Sequence, residues 1–143
     1  MKKLILASAV LFAMTACDDS SSSSTNGYTC NVSRTDNTVT LYETHTRGTY
    51  KQTQTVYGDH SIFTTDITYS SSAEAAEDCA EEKEEAREWR DGSYQVECTS
   101  NSVHVTQRDD SNRSSMDETV REFQYICDEG YIRAQNGTLD DYD

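Results

Sequence analysis

From residue 28 to residue 69 the apolar residues recur at every second position, the period of a strand whose two faces differ. Residues 28–34 place Tyr28, Cys30 and Val32 on one face. Residues 38–46 place Val39, Leu41, Glu43 and His45 on one face and threonines with Tyr42 on the other. Arg47-Gly48-Thr49 reads as a turn, residues 50–57 as a third strand, and Gly58-Asp59 as a second turn. Residues 61–69 then bring Phe63, Ile67 and Tyr69 together. Threonine is abundant throughout; it is β-branched and suits an exposed strand face.

The pattern changes at Ser70-Ser71-Ser72. Ser71 or Ser72 can cap a helix, with Glu74 and Glu77 near its positive end. Ala, Glu, Lys and Arg extend the helix over about 72–91, where Asp91-Gly92 stops it. One stripe runs Ala75, Cys79, Glu82, Ala86, Trp89, with Ala76 and Ala80 beside it. Such a face of small residues predicts close docking on a sheet, with Trp89 as the single large anchor. Glu84–Arg87 is the best-spaced ion pair, so the helix depends on docking rather than on its own charges.

Strand alternation returns at residues 94–99, 103–108 and 119–127, the last placing Phe123, Tyr125 and Cys127 on one face. Residues 109–118 read as a polar loop and residues 128–143 as an acidic tail that frays, held by Ile132 and Leu139 alone. The expected fold is α+β: a mainly antiparallel sheet of six or seven strands with one acidic helix packed on it. Residues 28–127 form one small domain.

The N-terminus carries an address. Lys2-Lys3, the apolar run 4–14 and Thr15-Ala16 have the order of an export signal, and the run is too short to span a bilayer. Met14-Thr15-Ala16-Cys17 resembles the lipobox of bacterial lipoproteins, with Met where the motif prefers Leu. The resemblance implies that residues 1–16 are removed and that Cys17 becomes an acylated N-terminus, tied to a membrane. Residues 17–27, rich in serine, form a flexible tether. Its Asp-Asp-Ser run is similar in composition to tethers of lipoproteins from fibre-degrading gut bacteria. Asp18-Asp19 fits two opposed sorting rules, retention at the inner membrane and export to the cell surface, so both stay open.

Maturation leaves 127 residues with a net charge of −16 instead of −14. That acidity excludes nucleic-acid binding through phosphates and leaves membrane attachment to the lipid. It reads first as solubility. The core is thin: Leu, Ile, Val and Phe number fifteen in the mature chain. Nine tyrosines and four cysteines compensate. In an exported chain Cys30, Cys79, Cys98 and Cys127 read as two disulfides, each adding about 2–4 kcal/mol. Of the three pairings, Cys98–Cys127 is disfavoured. In a meander of the last three strands those two would lie about 10 Å apart, beyond the roughly 7 Å limit on Cα separation. The turn after Arg90 brings Cys98 beside the helix, so Cys79–Cys98 with Cys30–Cys127 is the expected set.

Candidate chemistry is sparse. His45, His60 and His104 lie on separate segments, and neither C-x-x-C nor H-E-x-x-H occurs. The segment from Asp110 lacks the Gly and closing Glu of a calcium loop. Asp59-His60-Ser61 has triad residue types, but adjacent in sequence, which suits a turn better. Tyr42, Tyr50, Tyr57, Tyr69 and Trp89 could stack a sugar ring, though core filling is the stronger use for them. No cofactor is implied. The expected function is a non-catalytic structural or interaction role in an envelope-anchored lipoprotein, with an envelope protein or a glycan as partner. A surface carbohydrate-binding module and a small hydrolase or hydrolase inhibitor are the alternatives.

Overall fold

The computed structural model describes residues 25–111 and 115–139. The elements are β1 (Thr29–Arg34), β2 (Thr38–His45), β3 (Gly48–Val56), β4 (Ser61–Tyr69), α1 (Ser72–Glu88), β5 (Tyr94–Cys98), β6 (Ser102–Asp109) and α2 (Met116–Asn136). All six strands form one antiparallel sheet in the order β1-β2-β3-β4-β6-β5. The tight β2–β3 turn needs Gly48: its φ is +146°, and a Cβ there would lie 1.8 Å from the Thr68 carbonyl oxygen.

The registers align residues across the whole sheet. One row runs Cys30, Glu43, Tyr50, Ile67, Val103, Cys98. The next runs Val32, Leu41, Gln52, Thr65, Val105, Val96. Both helices cover this face. The opposite face carries threonines in register, such as Thr40, Thr53, Thr64 and Thr106. Its charges balance, Lys51 and Arg108 against Asp66 and Glu97, and it meets water, as one face of an antiparallel sheet can.

Each helix holds one flank. α2 lies on β1, β2 and the near side of β3; α1 lies on β5, β6 and β4. The core is accordingly split. Tyr28, Val39, Leu41, Phe123 and Ala134 pack under α2. Tyr94, Val103 and Val105 pack under α1 with Ala86, Trp89 and Val96. Trp89 is the anchor expected, its ring 5.6 Å from that of Tyr94. A disulfide pins each helix to an edge strand: Cys127 of α2 to Cys30 of β1, and Cys79 of α1 to Cys98 of β5. At the β1 edge Tyr131 also closes the open ladder. The Cys30 N–H donates to its hydroxyl at 3.1 Å, and that hydroxyl donates to the Cys30 carbonyl at 3.3 Å.

One expectation is overturned. Residues 119–127 are not a seventh strand, and residues 128–136 are not a frayed tail; both belong to α2. The alternation of Phe123, Tyr125 and Cys127 is incidental. Thr119, Phe123, Cys127, Gly130 and Ala134 recur at helical spacing and form the buried face. Ser115 and Glu118 make a reciprocal capping box, and Gly137 closes the helix in the left-handed conformation. The expected boundary after residue 127 thus falls inside a helix. Cys127 reaches Cys30 from above the sheet, not from within a meander. Residues 140–143, the end of the expected tail, lie outside the described residues.

Gly130 lets α2 sit this close. A Cβ there would stand 1.9 Å from the Tyr28 hydroxyl oxygen, so Gly130→Ala is expected to cost about 1–3 kcal/mol by overpacking. The staples differ in leverage, with sequence separations of 97 for Cys30–Cys127 and 19 for Cys79–Cys98. Replacing the first pair by Ala should lower unfolding free energy by about 4–5 kcal/mol and the second by about 3 kcal/mol. Urea titration of the two double variants checks the order; a larger loss from the Cys79–Cys98 pair would contradict it.

Candidate functional site

Two helices do not cover six strands. Neighbouring strands lie about 4.8 Å apart, so helices seated over opposite flanks are centred roughly 19 Å apart against a diameter of about 10–12 Å. Among the described residues no Cα atom of α1 lies within 8 Å of one in α2. The trough between them runs over β4, and the Tyr50 side chain lies across its β3 side, with its hydroxyl bonded to Gln52 and Thr65. Accessibility marks it directly. Phe63, Thr65 and Ile67 of β4 remain partly exposed at the middle of the covered face, while Val39 and Leu41 on one side and Val103 and Val105 on the other are buried.

The floor is polar where a core would be apolar. Gln52 and Gln54 of β3 are buried, and the Thr119 hydroxyl of α2 donates to Gln54 Oε1. Tyr50 stands between the two helices, and its hydroxyl donates to Gln52 Oε1 at 3.2 Å. Three carboxylates surround it: Glu43 beside it on β2, and Asp78 and Glu82 from α1. Burial pushes the Tyr50 hydroxyl well above its ordinary range, and the charge of Glu43 adds to the effect.

The same loss of water raises the carboxylates. Burial lifts Glu43, partly offset by the hydrogen bond donated by the Tyr28 hydroxyl. Burial lifts Glu82, opposed by the hydrogen bond from the Tyr94 hydroxyl and reinforced by Asp78 and Glu85. On α2, Glu122 lies one turn beyond Thr119, exposed in part, and is raised by partial burial and by Glu118. The Tyr69 hydroxyl is raised by burial and by its hydrogen bond to Asp78, which leaves only Oδ2 of that carboxylate without a donor. Raised carboxyls, aromatic rings and the partly exposed Phe63, Thr65 and Ile67 make this the region best equipped to bind a ligand.

The residues singled out in the sequence scatter. Tyr42 is 44% exposed on the helix-free face. Tyr57 stacks on His60 at 4.7 Å near the sheet's end. Tyr50, Tyr69 and Trp89 pack on the covered side. The five rings form no common platform. Asp59 and His60 pair at 2.6 Å, but the Ser61 hydroxyl is buried without a hydrogen-bond partner. The sequence hid a different arrangement, assembled by the β4–β6 register. His104 Nδ1 meets Asp66 Oδ1 at 2.5 Å, and Thr106 Oγ1 meets His104 Nε2 at 3.1 Å. That is the order of a base relay, but it lies on the flat open face, where the backbone N–H groups are spent in the sheet ladder and not free to stabilise an oxyanion. No group of three or more metal-ligating side chains occurs among the described residues. Cys17 lies outside them.

The trough fixes a pH dependence. Glu43, Glu82 and Glu122 have folded-state pKa values above their unfolded ones. Their favourable contribution is complete below the unfolded value and is lost as pH rises through the folded one. Thermal stability should therefore rise as pH falls from 7 to about 5. Glu43→Gln should flatten that rise in a melting series; an unchanged slope would remove Glu43 from the account. No protein-family model matches this chain, and no curated protein or solved structure matches it.

Proposed function

We propose that this chain is a non-catalytic envelope lipoprotein, anchored through Cys17, that acts by binding a ligand in the trough between its helices. The observation that carries the binding role is the partial accessibility of Phe63, Thr65 and Ile67 between the buried Val39 and Leu41 on one flank and Val103 and Val105 on the other. The carboxylates and tyrosines gathered there supply recognition groups, and the staples at both edges hold the walls apart. The anchor rests on the lipobox-like residues 14–17, with the serine-rich tether giving the domain reach from the membrane. The scattered rings give the carbohydrate-module alternative no support.

Full-length protein made in a bacterial host should incorporate a palmitate analogue and sediment with membranes. Cys17→Ser should abolish the label and release the domain in folded form. A Cys17→Ser chain that stays on the membrane would overturn the anchor. Hydrolysis of a chromogenic ester or glycoside by the wild type, lost in Glu82→Gln, would overturn the non-catalytic reading.

A further inference from the structure

We propose that the outer edge of β5 takes an added strand: an extended segment of a partner protein with acidic side chains on the face turned toward α1. This surface is separate from the trough. Its first ground is an unpaired ladder. The Thr99 N–H donates to the Ser102 carbonyl at 2.9 Å and the Arg108 N–H to the Ser93 carbonyl at 2.8 Å. Residues 93, 95, 97 and 99 therefore turn their backbone groups toward β6, and the residues between them turn theirs away. The N–H and C=O groups of Tyr94, Val96 and Cys98 face outward, and among the described residues nothing hydrogen-bonds them. The other edge differs. The same alternation turns Cys30 of β1 outward, and there the Tyr131 hydroxyl takes both its N–H and its carbonyl. β5 has no such plug, and neither proline nor lysine stands on the strand to deter pairing.

The second ground is the way α1 overhangs this edge. The helix packs chiefly on β5. Asp78 meets Tyr69 of β4 on its inner side, while Cys79 is bonded to Cys98 on the outer. The side of α1 beyond Cys79 carries Ala76, Ala80, Lys83 and Arg87, all exposed. The small side chains of Ala76 and Ala80 leave room below them for a strand at the usual spacing of about 4.8 Å.

Charge selects the occupant. At about 100° per residue the eight carboxylates of α1 fall within one arc of roughly 160°, and Lys83 and Arg87 stand in the gap, over the β5 edge. Among the described residues Lys83 has no ion pair, and Arg87 has only the exposed Glu84. The edge is thus locally positive in a chain of net charge −14, which suits an acidic segment and repels a basic one. A second copy fits less well. Strand and helix rises set Val96 level with Lys83, about four helix residues from Cys79. Pairing β5 with itself about Val96 would then place Lys83 against Lys83 of the second copy.

The test uses the disulfide-intact mature chain and a fluorescein-labelled heptapeptide, TVTETET, followed by anisotropy. The ionic strength is about 0.15 M, where repulsion by the net charge is screened beyond about 8 Å. Saturable one-to-one binding is expected, with slowed hydrogen exchange at the Tyr94, Val96 and Cys98 amides. Val96→Pro removes one outward N–H, keeps the bonds to β6, and should abolish binding with circular dichroism unchanged. Val32→Pro does the same at the β1 edge and should change binding less than about two-fold. Lys83→Gln/Arg87→Gln should weaken it at least about ten-fold. Lys51→Gln/Arg121→Gln removes the same charge elsewhere and should change it less than about two-fold. Binding untouched by Val96→Pro, or without protection of the three amides, would overturn the edge as the site. Equal binding of TVTKTKT would overturn the acidic partner. Absence of peptide binding would overturn the proposal, and a dimer in sedimentation that Val96→Pro dissolves would give the edge to a second copy instead.

Discussion

Each helix is held at an edge of the sheet by a disulfide, and the rest of the molecule follows from that constraint. The row that begins at Cys30 ends at Cys98, so the two bridges stand at opposite ends of one line of residues six strands wide. A helix tied at β1 and a helix tied at β5 cannot both move inward. The apolar residues are divided to match, with Leu41 and Phe123 on one flank and Val103 and Val105 on the other. Neither cluster is large. The chain instead draws stability from loop closure, which needs few residues and lets polar side chains fill the centre of the sheet.

That freedom explains the polar middle. Gln54 is wholly buried, yet it receives the Thr119 hydroxyl and so keeps a hydrogen bond. Glu43 is less comfortable. It sits in the same row as both bridging cysteines of the sheet, deprived of water, with the Tyr28 hydroxyl as its donor. The Tyr28 ring in turn lies edge-on to Tyr131 at 5.0 Å and against Gly130. A side chain at position 130 would push Tyr28 off Glu43, so backbone closeness and carboxylate solvation are one requirement here. Stability alone would favour an apolar residue at Glu43; a carboxylate kept there at a cost suits recognition better than packing.

The sheet and α1 were legible because their signals are local. Alternation placed the first four strands within a residue or two, and Ser71 marked the start of α1, which closes at Trp89, short of the stop expected at Asp91-Gly92. α2 was also written in the sequence, in the Ser115–Glu118 capping box and in the spacing of Thr119, Phe123, Cys127, Gly130 and Ala134. The two-residue rhythm of Phe123, Tyr125 and Cys127 competed with it over too short a window. A longer window, through residue 136, decides for the helix. The cysteine pairs expected are the pairs joined, but the meander used to choose them does not exist. The trough could not be read at all. It depends on which strands each helix covers, and on the insertion of β6 between β4 and β5, neither of which any local pattern encodes. The Asp66–His104–Thr106 chain was hidden by the same register.

The acidity of the chain acquires a direction from this geometry. Read as composition, a net charge of −14 says little beyond solubility. In the fold the charge is one-sided: α1 alone carries eight carboxylates against Lys83 and Arg87, while the opposite face of the sheet is balanced. Solubility does not require that asymmetry, nor does it require Asp78 and Glu82 to be turned inward, where they lose water. Exposed carboxylates such as Glu77, Glu81 and Glu84 would serve solubility alone. Asp78, Glu82 and Glu43 instead face Tyr50, whose hydroxyl is buried between the two helices. Each has a phenol for its donor, Tyr28 to Glu43, Tyr94 to Glu82 and Tyr69 to Asp78, so tyrosine supplies on the covered face the hydrogen bonds that water supplies to the exposed carboxylates.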